Sequence, residues 1–463
     1  ADWATPIAAL GVRPGHFSAD DYYAAPADNL RTYPVYHPDN EPPGYWEWLQ
    51  RQTPQPMVDA GAMRSTADWV AAGERAFRDL DAPLMRSNDP ALIAYARNPA
   101  SFKGVARLRD GLIGVRWVVT ERGVMLTGRE CGACHFRVDA AGAVEYATPR
   151  GGPFPIDGSV GLAETVPRVV IPGIERFFLE PVGAAAWRMF TVPWGPDPRV
   201  ERMKTMRLDE LGPLMATRHG VFARVNGSPF HGTKIPDLRS LKDNRYLDAT
   251  GTHRLRGPED VARYAALVAT ADSLDFGPWR LLTDAQRRVP VRYADEVLSA
   301  IGAYLLSLEP PKNPRPAEPL LVERGARLFR AEGCQRCHVP PAYTSGKLTL
   351  ADGFEPTRDH PIGADILRRS VHTDPGLALQ TRKGTGFYRI PSLRGVWDRP
   401  RLLHDGALTS LEELFDPARL EDGYAPQGWS PPGVSTRAVR GHAFGLELDA
   451  SDKAALIAFL RTL

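Results

Sequence analysis

The chain has 463 residues, of which 43% are hydrophobic and 24% charged, and its formal net charge is +2. That length exceeds one typical core and predicts two or three domains, while the balanced charge gives no electrostatic case for nucleic-acid binding. No apolar run approaches the ~20 residues needed to span a bilayer, and the 43 prolines and 42 glycines predict long irregular connections.

The chain opens Ala1-Asp2-Trp3, either a mature end left by cleavage behind small residues or an arbitrary boundary. No cysteine occurs before residue 118, and Tyr33-Pro34-Val35-Tyr36 and Pro42-Pro43-Gly44-Tyr45-Trp46 predict a segment that wraps over the domains. Trp69 to Leu80 reads as helical. Glu121-Arg122-Gly123, with Leu126 behind it, precedes Cys131-Gly132-Ala133-Cys134-His135. Glu323-Arg324-Gly325, with Leu328 at the same offset, precedes Cys334-Gln335-Arg336-Cys337-His338. Each reads as a helix leading into a cysteine loop.

A second repeat lies downstream. Lys234-Ile235-Pro236-Asp237-Leu238-Arg239 matches Arg389-Ile390-Pro391-Ser392-Leu393-Arg394. A closing helix is predicted over 293–308, where Val297, Ile301, Leu305 and Leu308 share a face and Pro310-Pro311 ends it. Another is predicted over 451–463, with Asp449 or Ser451 as N-cap. Pro310 to Pro319 reads as a linker. The repeat unit is too long for a solenoid, so the pattern is that of duplicated domains.

All four cysteines lie in the two C-x-x-C-H motifs. In that motif two thiols add across the vinyl groups of a haem, and the next residue, histidine, binds the iron. A single motif could be chance, a redox dithiol or half a zinc site. Two, using every cysteine at matching places in a repeat, point to two covalent c-type haems. A zinc knuckle would want its cysteine pairs close in sequence. Cys131, Cys134, Cys334 and Cys337 are thus the expected attachment sites, and His135 and His338 the proximal ligands. Thioether attachment of haem implies a periplasmic or secreted bacterial protein.

The sixth ligands separate electron transfer from substrate chemistry. All eight methionines precede residue 216, so a His/Met pair within the second domain is excluded. His360, His372, His404 and His442 remain there. His404, in Leu402-Leu403-His404-Asp405-Gly406 before a predicted helix at Ser410–Leu414, is the expected distal ligand. Aligning the I-P-x-L-R segments without gaps puts Ala249 where His404 stands. His253 would reach only if its loop shifted, and Met203, Met206, His219 and His231 stay open. An open iron at His135 is the favoured expectation.

The expected fold is therefore mainly α, with two cytochrome c-like domains, long irregular loops and an N-terminal extension. The boundaries are 1–118 for the extension, 119–310 for the first domain, 311–319 for the linker and 320–463 for the second domain. Trp187 and Trp194 are candidates for relaying electrons or shaping a pocket, and Phe177, Phe178 and Phe190 for lining one, with a plain core role the competing reading.

Ile390-Pro391-Ser392-Leu393-Arg394, His404-Asp405-Gly406 and Ser410-Leu411-Glu412-Glu413-Leu414, together with the paired motifs, resemble the bacterial di-haem cytochrome c peroxidase superfamily. That group includes the di-haem enzymes that mature a protein-derived tryptophan cofactor and the di-haem rubber oxygenases. The resemblance covers about residues 320–463 well, 119–310 in part, and nothing earlier. Two departures set the chain apart from true peroxidases. No histidine occurs between His135 and His219, and no methionine is available in the second domain. The rubber-oxygenase branch, with an open N-terminal haem and a bis-histidine C-terminal one, is the nearer pattern.

The resemblance implies an oxidoreductase that activates dioxygen or peroxide at the N-terminal haem, acting on an organic or peroxide substrate. It also implies a small cytochrome or cupredoxin as electron partner, and it is compatible with a calcium ion between the domains. The alternatives are a peroxidase proper and a pure electron-transfer cytochrome.

Overall fold

The computed structural model describes residues 18–102, 114–138, 143–148, 182–192, 194–207, 227–270, 291–315 and 317–463, with scattered positions between them. Among these, helices α1 (Thr66–Asp79), α2 (Cys131–Cys134), α3 (Val182–Phe190), α4 (Asp295–Ser307), α5 (Pro319–Ala331) and α6 (Ala450–Leu460) carry the cores. The strands form small sheets of two or three. No helix among the described residues is long and apolar enough to cross a membrane.

Helix α1 starts at a capping box. The Ser65 hydroxyl accepts the Asp68 N–H, and the Asp68 carboxylate accepts the Ser65 N–H. Its buried stripe of Ala72, Ala76 and Phe77 packs on Val297, Ile301 and Tyr304 of α4. Helix α5 packs on α6 in the same way, with Phe329, Leu456, Ile457 and Leu460 in one core. A glycine sets the approach in both pairs. A Cβ on Gly73 would stand 1.9 Å from the Ala300 carbonyl oxygen, and one on Gly325 2.0 Å from that of Ala455. Phe77 then meets Tyr304 at 5.8 Å between ring centres, and Phe329 meets Phe459 at 5.3 Å.

The helix expected at Glu121-Arg122-Gly123 does not form. Val115–Thr120 and Gly123–Gly128 are antiparallel strands, and Gly123 turns between them with φ +94°. The run Val115, Val118, Val119, Thr120 is β-branched and suits a pleated surface better than a helix. The true counterpart of α5 is α1. The Leu80 carbonyl at its end accepts the Glu130 N–H at 2.9 Å, directly before Cys131. Residues 81–129 are thus looped out between the helix and the cysteine turn, whereas α5 passes through Glu332 and Gly333 straight into Cys334. The core behind Cys131 also draws on Met57 and Val58, which lie well before position 118.

The other predicted elements form close to their expected positions. Trp69 to Leu80 falls within α1 and its C-cap, the stretch 293–308 contains α4, and α6 starts after Asp449, whose carboxylate accepts the Asp452 N–H. Ser410 caps a short helix at Leu411–Leu414. The proline-rich 310–319 stretch is tied to the second half. The Trp397 indole N–H donates to the Pro311 carbonyl at 2.9 Å, and the Asn313 amide to the Arg461 carbonyl at 3.0 Å.

The I-P-x-L-R repeat builds the contact between the halves, and it does so reciprocally. The Lys234 N–H donates to the His404 carbonyl at 3.0 Å, and the Arg389 N–H to the Ala249 carbonyl at 2.8 Å. Arg239 pairs with Asp398 at 2.8 Å, while Arg394 pairs with Asp243 at 2.9 Å. Each motif's arginine therefore reaches the aspartate that stands behind the other motif's arginine at the same spacing. Such exchange is the mark of an isologous contact.

Arg239 is only 4% exposed. A buried pair broken from one side costs several kcal/mol when the partner is stranded. Here Asp398 keeps Arg137 at 2.7 Å and Asp237 keeps Arg399 at 3.9 Å. Arg239→Ala is accordingly expected to cost about 2 kcal/mol in chemical denaturation, and Asp398→Ala a similar amount, because Arg239 keeps Asp237 at 2.9 Å and Arg137 keeps Glu145.

Candidate functional site

Each C-x-x-C-H folds as one tight turn, α2 in the first half and a 3-10 turn at Cys334–Arg336 in the second. The histidine N–H donates to the first cysteine's carbonyl in both, at 3.2 Å for His135 and 2.9 Å for His338. Such a turn is what can offer two sulfurs and one imidazole to a single porphyrin. All four cysteines are free thiols. Burial pushes Cys131 up to about 12, and Cys134 and Cys334 to about 11. These thiols stay protonated, the reverse of what a redox dithiol requires. Among the described residues no three or more His, Cys, Asp or Glu side chains converge on one point, so the two cysteine pairs do not join into a zinc centre.

The second motif opens into a cavity lined by Cys334, Cys337, His338, His404 and His442. Phe329, Leu456 and Leu460 of α5 and α6 supply apolar wall, and Lys234, Arg389 and Arg399 bring positive charge to it. Burial and the neighbouring arginines push Lys234 down to about 7. His338 donates from Nδ1 to the Tyr343 carbonyl at 3.0 Å, which fixes the tautomer and leaves the Nε2 lone pair able to bind a metal. Burial also pushes His338 down to about 4, so the ring is neutral at ordinary pH.

The repeat motif serves this geometry. Tyr343 holds a left-handed conformation at φ +51°, and its carbonyl also accepts the Leu393 N–H at 3.3 Å. In the first half Ala147, at φ +63°, accepts the Leu238 N–H at 3.2 Å and donates its own N–H to the His135 carbonyl at 2.8 Å. The leucine of each I-P-x-L-R thus docks on the loop that steadies the motif histidine.

The first site sits against the core of α1 and α4. Cys131 packs on that core, Gly132 passes so close to α1 that a Cβ would stand 2.5 Å from the Arg78 carbonyl oxygen, and the His135 ring lies 6.1 Å from Phe77. Glu130, next to Cys131, is pushed up to about 7 by burial and by Asp81. It is a carboxyl that can carry a proton near neutral pH.

The other sequence candidates have partners of their own. Met203 is fully buried among Ala186, Phe190, Val200, Leu211 and Phe230, with Met206 against the same cluster. His231 stands 3.4 Å from Arg199. His253 pairs with Asp248 at 3.2 Å and meets the edge of Tyr264. Ala249 packs with Ala351, Leu377, Ala378 and Tyr388. The Trp187 indole N–H donates to Glu201 at 2.7 Å, with the Lys204 ammonium 4.1 Å above its ring. Trp194 is half-buried in the turn after α3. His219, Phe177 and Phe178 lie outside the described residues.

Sequence reasoning missed Tyr343, Glu130 and the placing of His442. Only the spacing of Asp243 and Asp398 behind their motifs offered an unused signal.

No protein-family profile and no curated protein matches the sequence. Among solved structures the chain is similar to hydrazine synthase from Kuenenia stuttgartiensis, with 11% identity over 62% of this chain and 87% of that one and a TM-score of 0.33. It is similar to a variant of the diheme peroxidase BthA from Burkholderia thailandensis, with 17% identity over 89% and 91% and a TM-score of 0.32. A MauG-like protein associated with microbial copper homeostasis gives 20% identity over 36% and 56%, with a TM-score of 0.23. These likenesses are loose, and the chemistry of the site rests on its own residues.

Proposed function

We propose that the protein is a di-haem c-type oxidoreductase. Haem is attached through Cys131 and Cys134 and through Cys334 and Cys337, with His135 and His338 as proximal ligands. The observation that carries this reading is the second cavity. Two protonated thiols and an imidazole with a fixed tautomer face one largely apolar cavity. Lys234, Arg389 and Arg399 line the same cavity and suit the two carboxylates of a haem.

When bound, haem supplies one-electron chemistry and a place for a small oxygen ligand. The residues supply the rest. Tyr343 and Ala147 steady the motif histidines through their loops, the walls from α5 and α6 keep water from the second iron, and Glu130 can hold a proton beside the first.

The two sites are proposed to differ in role. The second is closed by an imidazole from its own cavity and stores or passes electrons. The first is open and activates dioxygen or peroxide. The engagement of Met203, Met206, His231 and His253 with partners of their own supports this. A small cytochrome or cupredoxin as electron partner and a periplasmic or secreted location belong to the same proposal.

Carbon monoxide tests the asymmetry. The reduced protein is expected to bind about one equivalent per chain, and the ferric protein to show one high-spin and one low-spin signal in electron paramagnetic resonance. Two low-spin signals with no carbon monoxide binding would make the chain an electron carrier only. Oxygen uptake with an organic substrate, against turnover of hydrogen peroxide with a reduced donor, then separates oxygenase from peroxidase.

A further inference from the structure

We propose that His442, and not His404, supplies the second axial nitrogen to the iron held by His338. The inference rests on the haem reading of the Cys334/Cys337 cavity. Two imidazoles that share one iron stand at a nearly fixed separation. With an iron–nitrogen bond of about 2.0 Å and about 1.1 Å from ring nitrogen to ring centre, the two centroids fall roughly 6.2 Å apart, whichever nitrogen binds. The His338 and His442 centroids are 6.4 Å apart, with the ring planes at 55°.

His404 is committed to other partners. Its ring stacks on Tyr388 at 4.3 Å and 28°. Its Nδ1 lies 3.3 Å from the Thr373 hydroxyl, and its carbonyl accepts the Lys234 N–H from the other half. It lines the cavity as part of the contact between the halves.

The chain is built to hold His442 where it is. Its φ is +51°, a conformation that L-residues rarely adopt. Gly441 before it, at φ +86°, passes so close to the His372–Thr373 backbone that a Cβ would stand 2.4 Å from the Thr373 nitrogen. The His442 N–H donates to the Val371 carbonyl at 2.7 Å. Arg419, with no exposed surface, donates to the carbonyls of Gly441 at 2.9 Å and His442 at 3.1 Å, and to that of Val439 at 2.5 Å. Strained backbone held by a buried arginine is a sign of a constraint beyond folding. The ring itself has an Nδ1 that is buried with no protein hydrogen-bond partner. Buried polar atoms are satisfied as a rule, and a metal in the cavity removes this exception.

The test uses the holoprotein with both haems attached, alongside His442→Ala, His442→Met and His404→Ala. Haem per chain is measured by pyridine haemochrome, spin state by cryogenic electron paramagnetic resonance, and open irons by carbon monoxide titration. His442→Ala should keep its haem but lose the low-spin signal, and carbon monoxide uptake should about double. His442→Met should restore a six-coordinate iron with the far-red charge-transfer band of His–Met ligation. His404→Ala should keep the wild-type low-spin signal. A wild-type low-spin signal in His442→Ala, or its loss in His404→Ala alone, overturns the assignment. If His442→Ala cannot be produced, His442→Met decides, and an unchanged bis-histidine spectrum in it overturns the proposal. A wild-type chain without haem at Cys334 and Cys337 is a separate outcome, which sinks the haem reading and the ligand with it.

Discussion

Cys334→Ala combined with Cys337→Ala is expected to remove half of the covalently bound haem, and the four-alanine variant all of it. The chain has no other cysteine to form a thioether. The readout is haem-associated peroxidase staining on a denaturing gel together with pyridine haemochrome. The two pairs should also separate by function. Without Cys131 and Cys134, carbon monoxide binding is expected to vanish, because the iron proposed to be open is gone. Without Cys334 and Cys337, carbon monoxide binding should persist while turnover with an external electron donor falls by at least about tenfold, the equivalent of about 1.4 kcal/mol in the barrier. The second pair should also cost more stability. Its thiols, His338 and apolar side chains from α5 and α6 face one cavity, and unfilled apolar space in a core is destabilising. Full haem content in the four-alanine variant would refute the attachment sites.

Gly325→Ala and Gly73→Ala are each expected to destabilise the holoprotein by about 3 kcal/mol or more, at the upper end of what overpacking costs. The obstacle at each position is a backbone carbonyl, of Ala455 or Ala300, at 2.0 and 1.9 Å from the added carbon. A carbonyl in the middle of a helix cannot rotate away, so the two helices must separate. Separation would pull Phe329 from Phe459 and Phe77 from Tyr304. Both cysteine turns lean on those helices, so haem content should drop as well. Gly363→Ala and Gly423→Ala make controls, since a Cβ at either meets nothing within 4 Å. Thermal unfolding of the four variants reads the contrast, and equal melting temperatures would mean that the helix pairs do not need their close approach.

Both predictions come from the repeat, and the repeat is only half legible in the sequence. The paired I-P-x-L-R segments align correctly without gaps, because the reciprocal hydrogen bonds and the exchanged Arg239–Asp398 and Arg394–Asp243 pairs keep that register. The leading helix of the first half is the part that sequence matching misplaces. Glu-Arg-Gly is a short match, and at 121–123 it marks the turn of a hairpin. The segment that corresponds to Gly325 and Phe329 is Gly73 and Phe77, separated from its cysteines by residues 81–129. A long insertion hides such kinship, since local spacing is all that a sequence comparison by eye can use.

What the sequence by itself determined are the features that depend on covalent order and local pattern. These are the two C-x-x-C-H motifs, the absence of methionine from the second half, the closing helices at 293–308 and 451–463, and the repeat that ties the halves together. Periodicity, caps and adjacent ligands are properties of neighbouring residues. The tertiary structure decided what depends on residues distant in the chain. It brought α1 to α4, exchanged the arginines between halves, set Tyr343 under His338, and turned His404 onto Tyr388 while placing His442 6.4 Å from the His338 ring. Those outcomes depend on loop closure and packing at close range, and nothing in the local sequence around His404 or His442 carries that information.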